Sequence, residues 1–380
     1  MKRKEKIYNR LILVGNGFDL ALGIKTSYND FLFWYLKSRL LLSVKSEDII
    51  ANPEHGTKYN YYEDKISKVF WKRNYSENDK LDFIERYKTL KDIQVAIKQK
   101  QNFVINTSTS VLFRTIYDTS INSWIDVEQS YYVLLKKHFT RKEVILKINE
   151  DFEFIKNQLE IYLTTLKLPE LKRASITQFI EQFFDGISKD EIIDINKQHL
   201  SLGTKNYYFL NFNYTDSLRS ILDSFSIYNT NKSFNPSYQI NHIHGKLNSK
   251  EERIIFGYGD EMDNFYTQIQ DLNDNEYLKN IKSFQYFQSQ NYRNLLRFVN
   301  SNEYQVCIYG HSCGLSDRVM LNEIFENDNC KSIKIYYYKD ERDYVNKTME
   351  ISRHFKDNNL MRQKIVNFKK ENIIPQLFLT

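Results

Sequence analysis

The amino-acid sequence predicts an α/β fold, a mostly parallel, doubly wound sheet carrying a large helical insertion. Three observations point there. Short runs that are apolar at every position, instead of alternating, recur as strands covered on both faces do. Helical stretches separate several of these runs, as crossover connections in a parallel sheet require. Of only 11 glycines, most of the informative ones stand at the ends of the runs.

The first run, residues 10–14, ends at Gly15-Asn16-Gly17. A helix is expected to begin near Thr26 or Ser27, with Asp30 in its first turn and Phe31, Tyr35 and Leu36 on one face. From about Tyr59 to Asp185 the pattern changes to long helical periodicity, over 79–101, 121–138 and 143–166, which reads as an inserted helical lobe. Strand-like runs then return at 207–212, 239–243, 253–256, 305–309 and 333–338, with helical stretches at 216–225, 277–300 and 317–326. The division that follows is a first part of a Rossmann-like domain (1–58), a helical insertion (59–200) and the remainder of the Rossmann-like domain (201–380).

Composition narrows the classes of function. A chain of 380 residues with 41% hydrophobic residues can bury a large α/β core. The formal charge of +6 is spread along the chain among 48 acidic residues, so a nucleic-acid partner is not favoured. Cys307, Cys313 and Cys330 form neither a paired framework nor a C-x-x-C clamp, so a reducing cytoplasm is expected and no metal is. The charged start and the short, glycine-broken apolar run after it predict neither a cleaved leader nor a membrane-spanning segment.

In doubly wound sheets ligands bind beyond the carboxyl ends of the strands. Here those ends are polar or glycine-rich: 15–19, 211–214, 242–245 and 310–312. Gly15 and Gly17 would let a diphosphate approach the backbone. The competing reading is a tight strand-to-helix turn, which leaves Asn16 and Asp19 without a role. Leu20 stands where a dinucleotide fingerprint needs its third glycine, which argues against a hydride-transferring dehydrogenase. Gly17, Gly23, Lys25 and Thr26 miss the phosphate-loop spacing.

Asn213 and His244 fit cleavage of the bond between nicotinamide and ribose. The leaving group departs neutral, so the reaction needs orientation of nicotinamide or water by an amide and a base on a hydroxyl or water. The plain alternative is that Asn213 caps a turn and His244 bonds a carbonyl. His242, two residues before His244, should face the other way, which also argues against a metal pair. His311 is a further polar candidate, or a residue that holds its own loop.

Residues 310–314 match the G-x-S-x-G nucleophile elbow, with Asp340 and His354 in the right order for a serine hydrolase using Ser312. Against it, the next helix starts only near Ser316 and Asp317, a cap position. Cys313 as nucleophile competes with a small buried thiol. Trp124, Asp126 and Glu128 sit on an expected helix of the insertion, either as a core aromatic with a solvated acid or with an acid leaning over the crevice.

Residues 13–21 with Gly23, Thr26 and Tyr28, the Trp124-x-Asp126-x-Glu128 segment, Asn213-Tyr214-Thr215, Ile243-His244-Gly245, and Gly310-His311-Ser312 with Asp317 together resemble the motif set of the bacteriophage abortive infection AbiH family. The layout is also similar, more remotely, to the sirtuin-like domains of anti-phage NAD hydrolases. In that comparison Gly15 and Gly17 match the diphosphate loop, Asn213 the Asn of a Thr-x-Asn-x-Asp motif, His244 and Gly245 the His-Gly motif, and Gly310 and Ser312 the Gly-x-Ser motif near the ribose. Asn16, the Phe18-Asp19 pair and Thr215 depart from it. The four zinc-binding cysteines of a sirtuin deacylase are missing, and hydrolysis or binding of the nucleotide does not need them.

The resemblance implies a cytoplasmic anti-phage effector that binds NAD as substrate or ligand. It assigns catalysis to Asn213 and His244, and binding to Gly15, Asn16, Gly17, Asp19, Gly245, Gly310, His311, Ser312 and Asp317. A non-catalytic nucleotide sensor stays open beside it, as do a phage-derived trigger or partner protein and a homo-oligomer.

Overall fold

The computed structural model describes residues 5–46, 49–51, 58–72, 75–99, 102–120, 126–193, 201–228 and 236–377. Strand β1 (Glu5–Val14) leads into the short helix α1 (Asn16–Ala21) and then α2 (Tyr28–Val44). Strands β2 (Ile49–Ala51), β3 (Lys58–Glu63) and β4 (Lys68–Trp71), helices α3 (Glu77–Arg86) and α4 (Leu90–Lys98), and strand β5 (Phe103–Asn106) come next. Helices α5 (Val111–Ser120), α6 (Val127–His138), α7 (Lys142–Thr165) and α8 (Arg173–Phe183) precede β6 (Ser201–Asn211), α9 (Ser217–Tyr228) and β7 (Ser237–His242). The chain continues through α10 (Asn264–Asp271), α11 (Lys282–Gln285), α12 (Asn291–Val299), β8 (Tyr304–Tyr309), α13 (Arg318–Glu326), β9 (Cys330–Tyr336), α14 (Glu341–Ser352) and α15 (Asn358–Lys364). It divides into two compact units, one of residues 1–24, 166–268 and 280–380, the other of 25–165 with 269–279.

The first unit is built on a five-stranded sheet in the order β7-β6-β1-β8-β9, every pair parallel. The chain leaves β1 to one side through β6 and β7 and returns to the other through β8 and β9, so the order reverses between β1 and β8. The apolar runs have the expected physical cause. Leu11 and Leu13 of β1 enter one core with Leu210, Val306, Ile308 and Ile333. Ile12 and Val14 enter another with Phe209, Cys307 and Tyr309. Alternate residues therefore feed two cores on opposite faces, and both faces are covered by helices: Leu295, Leu321 and Ile324 on the first, Phe179, Leu218 and Ile221 on the second. This is the α/β, Rossmann-like, doubly wound arrangement.

Two expectations are corrected in this unit. Residues 253–256 form no strand: Ile255 is buried, but its N–H donates to the His244 carbonyl and Lys246 N–H to the Glu252 carbonyl, two clasps across a loop in place of a ladder. The stretch 277–300 is not one helix but breaks into α11 and α12.

The second unit confirms the expected cap of α2, where the Ser27 hydroxyl accepts from Asp30 N–H at 3.1 Å. It is not helical throughout. Strands β2-β3-β4-β5 form an antiparallel sheet. Val69 and Trp71 of β4 and Phe103 and Ile105 of β5 are buried in alternation, but over four residues each such a pattern is too short to stand out in a sequence.

Candidate functional site

The polar strand ends all belong to the first unit, and the structure joins them in two clusters. The first is the junction between β1 and β8, at the reversal of strand order. Gly15 N–H donates to Tyr309 O at 3.1 Å, Gly17 N–H to Gly310 O at 2.8 Å and Phe18 N–H to Gly15 O at 2.9 Å. A Cβ on Gly15 would stand 2.4 Å from His311 Cα, and one on Gly17 2.8 Å from Gly310 Cα. Gly310 itself has φ +72, and its Cβ would stand 2.4 Å from Phe18 N. The glycines are thus required by contact between two strand ends; two of the turn's amides, Gly15 and Gly17, are committed to that contact and a third, Phe18, to the turn itself. Asn16 is half-buried at the start of α1.

Asp19 and Asn213 anchor this junction. The Asn213 amide nitrogen donates to Gly15 O at 3.1 Å and to Asp19 Oδ1 at 3.2 Å, so its side-chain N–H groups are spent on the scaffold. Its Oδ1 accepts no hydrogen bond among the described residues. Asp19 also accepts from the hydroxyls of Thr215, at 2.7 Å, and Ser217. Burial raises its carboxyl to about 6 although those three donors favour the charged form.

The second cluster surrounds Asp317. His244 Nε2 lies 3.1 Å and Lys282 Nζ 2.8 Å from Asp317 Oδ1, and His311 Nε2 lies 3.6 Å from Oδ2. Tyr286 OH is 3.3 Å from His244 Nε2. All of these side chains are buried, Lys282 completely. Burial opposes the Asp317 charge, but Lys282 and the two histidines outweigh it and hold the carboxyl well below its usual range. Burial and the Lys282 charge push His244 down to about 4.

The protons can be placed from the partners. His311 Nδ1 accepts from Cys313 N–H at 3.0 Å, so its proton is on Nε2, toward Asp317. A neutral His244 facing an ionised Asp317 likewise carries its proton on Nε2. His244 Nδ1 then holds a lone pair, and it makes no hydrogen bond among the described residues. The Phe212 ring packs against both, its centroid 5.1 Å from that of His244 and 3.9 Å from that of His311.

Asp317 stands at the N-cap of α13 but caps nothing with its side chain. Gly245, with φ +80, admits Arg253 O at 2.1 Å from where a Cβ would be and so closes the turn after His244. His242 is the last residue of β7; its Nδ1 lies 3.3 Å from the Asn211 amide nitrogen, in neither cluster. Ser312 is exposed, and its hydroxyl makes no hydrogen bond among the described residues; its carbonyl accepts from Lys347. The triad around it is not assembled. His354 donates from Nε2 to Cys313 O at 2.8 Å, and Asp340 caps α14. Apart from Gly310, the left-handed residue of this turn is Cys313, a buried thiol pushed up to about 12.

In the second unit Asp126 caps α6, accepting from Gln129 N–H at 2.8 Å, and Glu128 is buried, not solvated. Trp124 lies outside the described residues. Sequence reading missed Ser217, Lys282 and Tyr286. Among the described residues no helix is long and apolar enough to cross a membrane, and no group of three or more His, Cys, Asp or Glu is arranged to hold a metal.

A family model, that of bacteriophage abortive infection AbiH, matches residues 11–339. No curated protein matches the chain. The matched span contains every residue of both clusters.

Proposed function

The chain belongs to the bacteriophage abortive infection AbiH family, and we propose that within abortive infection it binds a nicotinamide dinucleotide and hydrolyses it at the nicotinamide–ribose bond. The observation that carries this reading is the ring of His244: buried, neutral, held through Nε2 on Asp317, with an unshared Nδ1 lone pair at the carboxyl edge of the sheet. In the reaction the C–N bond breaks with its electron pair leaving on nicotinamide, the ribose carbon bonds water, and one proton goes to solvent. A sugar that has become oxocarbenium-like takes up water readily. It needs a placed acceptor for a hydroxyl or water proton more than a strong base.

Asn213 has only Oδ1 to offer a ligand, and the amides of Gly15, Gly17 and Phe18 do not form a diphosphate cradle. The low basicity of His244 and this thin set of donors favour one rival, a nucleotide sensor that binds without turnover. Liquid chromatography of NAD and its products during infection tests both, in cells carrying wild type, Asn213→Ala or His244→Ala at equal expression. Loss of NAD only with wild type supports the hydrolase. Intact protection with NAD preserved eliminates depletion.

A further inference from the structure

We propose that Lys282 is a positioning residue that fixes His244 as a neutral hydrogen-bond acceptor, so that the ligand group seated against this ring is a donor, a hydroxyl or water, and not a phosphate. The geometry is a three-membered line: ammonium, carboxylate, imidazole. Lys282 Nζ and His244 Nε2 meet the same oxygen, Asp317 Oδ1, at 2.8 and 3.1 Å. Lys282 has no exposed surface, so its charge is not shared with solvent.

In an isolated Asp–His pair the carboxylate stabilises the imidazolium and raises the histidine. A protonated ring carries hydrogen on both nitrogens and presents a cationic donor, which suits an anion. Here the lysine neutralises Asp317 first. The groups facing His244 are Lys282 and Tyr286 from α11 and the turn after it, Asp317 from the turn before α13, His311 after β8, and Phe212 and Tyr214 after β6. Burial disfavours a charge on the ring most, Lys282 and His311 disfavour it further, and Asp317 favours it. The lone pair on Nδ1 follows from the balance. This inference rests on the reading that His244 faces the ligand, but the protonation state is measured without ligand or turnover, so the two fail separately.

The full chain has 7 histidines, few enough for selective ring labelling with nitrogen-15, with His244 assigned from His244→Gln. In wild type the His244 ring should stay neutral, with its proton on Nε2, from about pH 8 to about pH 5. Lys282→Met, checked for folding by circular dichroism, should bind the His244 proton at least about tenfold more tightly. Asp317→Asn combined with Lys282→Met should reverse that gain. The proposal is overturned by a wild-type ring that titrates near its ordinary 6.5 or carries its proton on Nδ1, or by an unchanged titration in folded Lys282→Met. Where Lys282→Met does not fold, Lys282→Gln carries the same expectation, and a wild-type ring that titrates near 6.5 overturns the proposal without any variant.

Discussion

Replacing Asp19 by asparagine should make the protein more stable at neutral pH, although it removes a carboxylate that accepts three hydrogen bonds. The carboxyl rises from 3.8 to about 6 because it is buried without a cation. The folded state therefore holds the proton more tightly than the unfolded one. The favourable contribution of the neutral acid is complete below 3.8 and is lost as pH rises through about 6. Full ionisation costs about 3 kcal/mol by linkage, roughly half of it developed at pH 5 and nearly all at pH 8.

The side-chain amide introduced by Asp19→Asn would keep an oxygen for Asn213 and Ser217, and the Thr215 hydroxyl can turn to accept from the new amide while donating to Ser217, 3.1 Å away. The variant should gain about 2 kcal/mol at pH 8 and less at pH 5, after some loss in hydrogen-bond strength. Trp34, Trp71 and Trp124 all fall within 25–165, so tryptophan fluorescence reads the other unit. Native-state hydrogen exchange of β1 and β8 peptides, followed by mass spectrometry, reads this one. An Asp19→Asn protein less protected than wild type at pH 8, or a difference that does not change with pH, refutes the argument.

Two further outcomes follow from the same packing. Gly310→Ala should cost at least ~2 kcal/mol, from the left-handed backbone together with the overlap on Phe18 N, and a midpoint of thermal unfolding equal to wild type would contradict it. Cys307, Cys313 and Cys330 are buried thiols raised to about 11, 12 and 12, so iodoacetamide at pH 8 should label them only after unfolding; prompt labelling of the native chain would contradict their burial.

What the sequence made legible was local. Residues 11–14 announce a doubly covered strand because each side chain on either face meets a core, and the glycines mark where such strands stop. Asn213, His244 and Asp317 could be picked out because polar groups at strand ends are few. Their partners could not. Lys282 sits in a four-residue helix with no period to read, and Ser217 looks like any helix start. Asp317 looked like a cap because it precedes α13, but its carboxylate turns toward Lys282 and His244, which come from elements 35 and 73 residues away. Gly15 and Gly17 show the same gap in reverse: a glycine-rich turn reads as space for a ligand, and here the space is filled by the end of β8.

Asn213 is where scaffold and chemistry must be separated. Its amide bridges Gly15 O and Asp19 Oδ1, so Asn213→Ala takes one of two donors from the Gly15 carbonyl, which keeps Phe18 N–H, and one of three from the Asp19 carboxylate, at about 1–2 kcal/mol. Protection of peptides covering β1 and α1 should then fall by about tenfold or more. A residue that acts only by touching ligand would leave that protection unchanged while abolishing turnover. Asn213→Asp sharpens the test. Its carboxylate would stand about 3 Å from that of Asp19, and two like charges at that separation bind a shared proton tightly. Protection in Asn213→Asp should be weakest at pH 8 and recover as pH falls below about 6, the sign expected when a proton restores a hydrogen bond between the two acids. Equal protection at both pH values would show that Asn213 does not hold the junction, and would return its amide to the ligand.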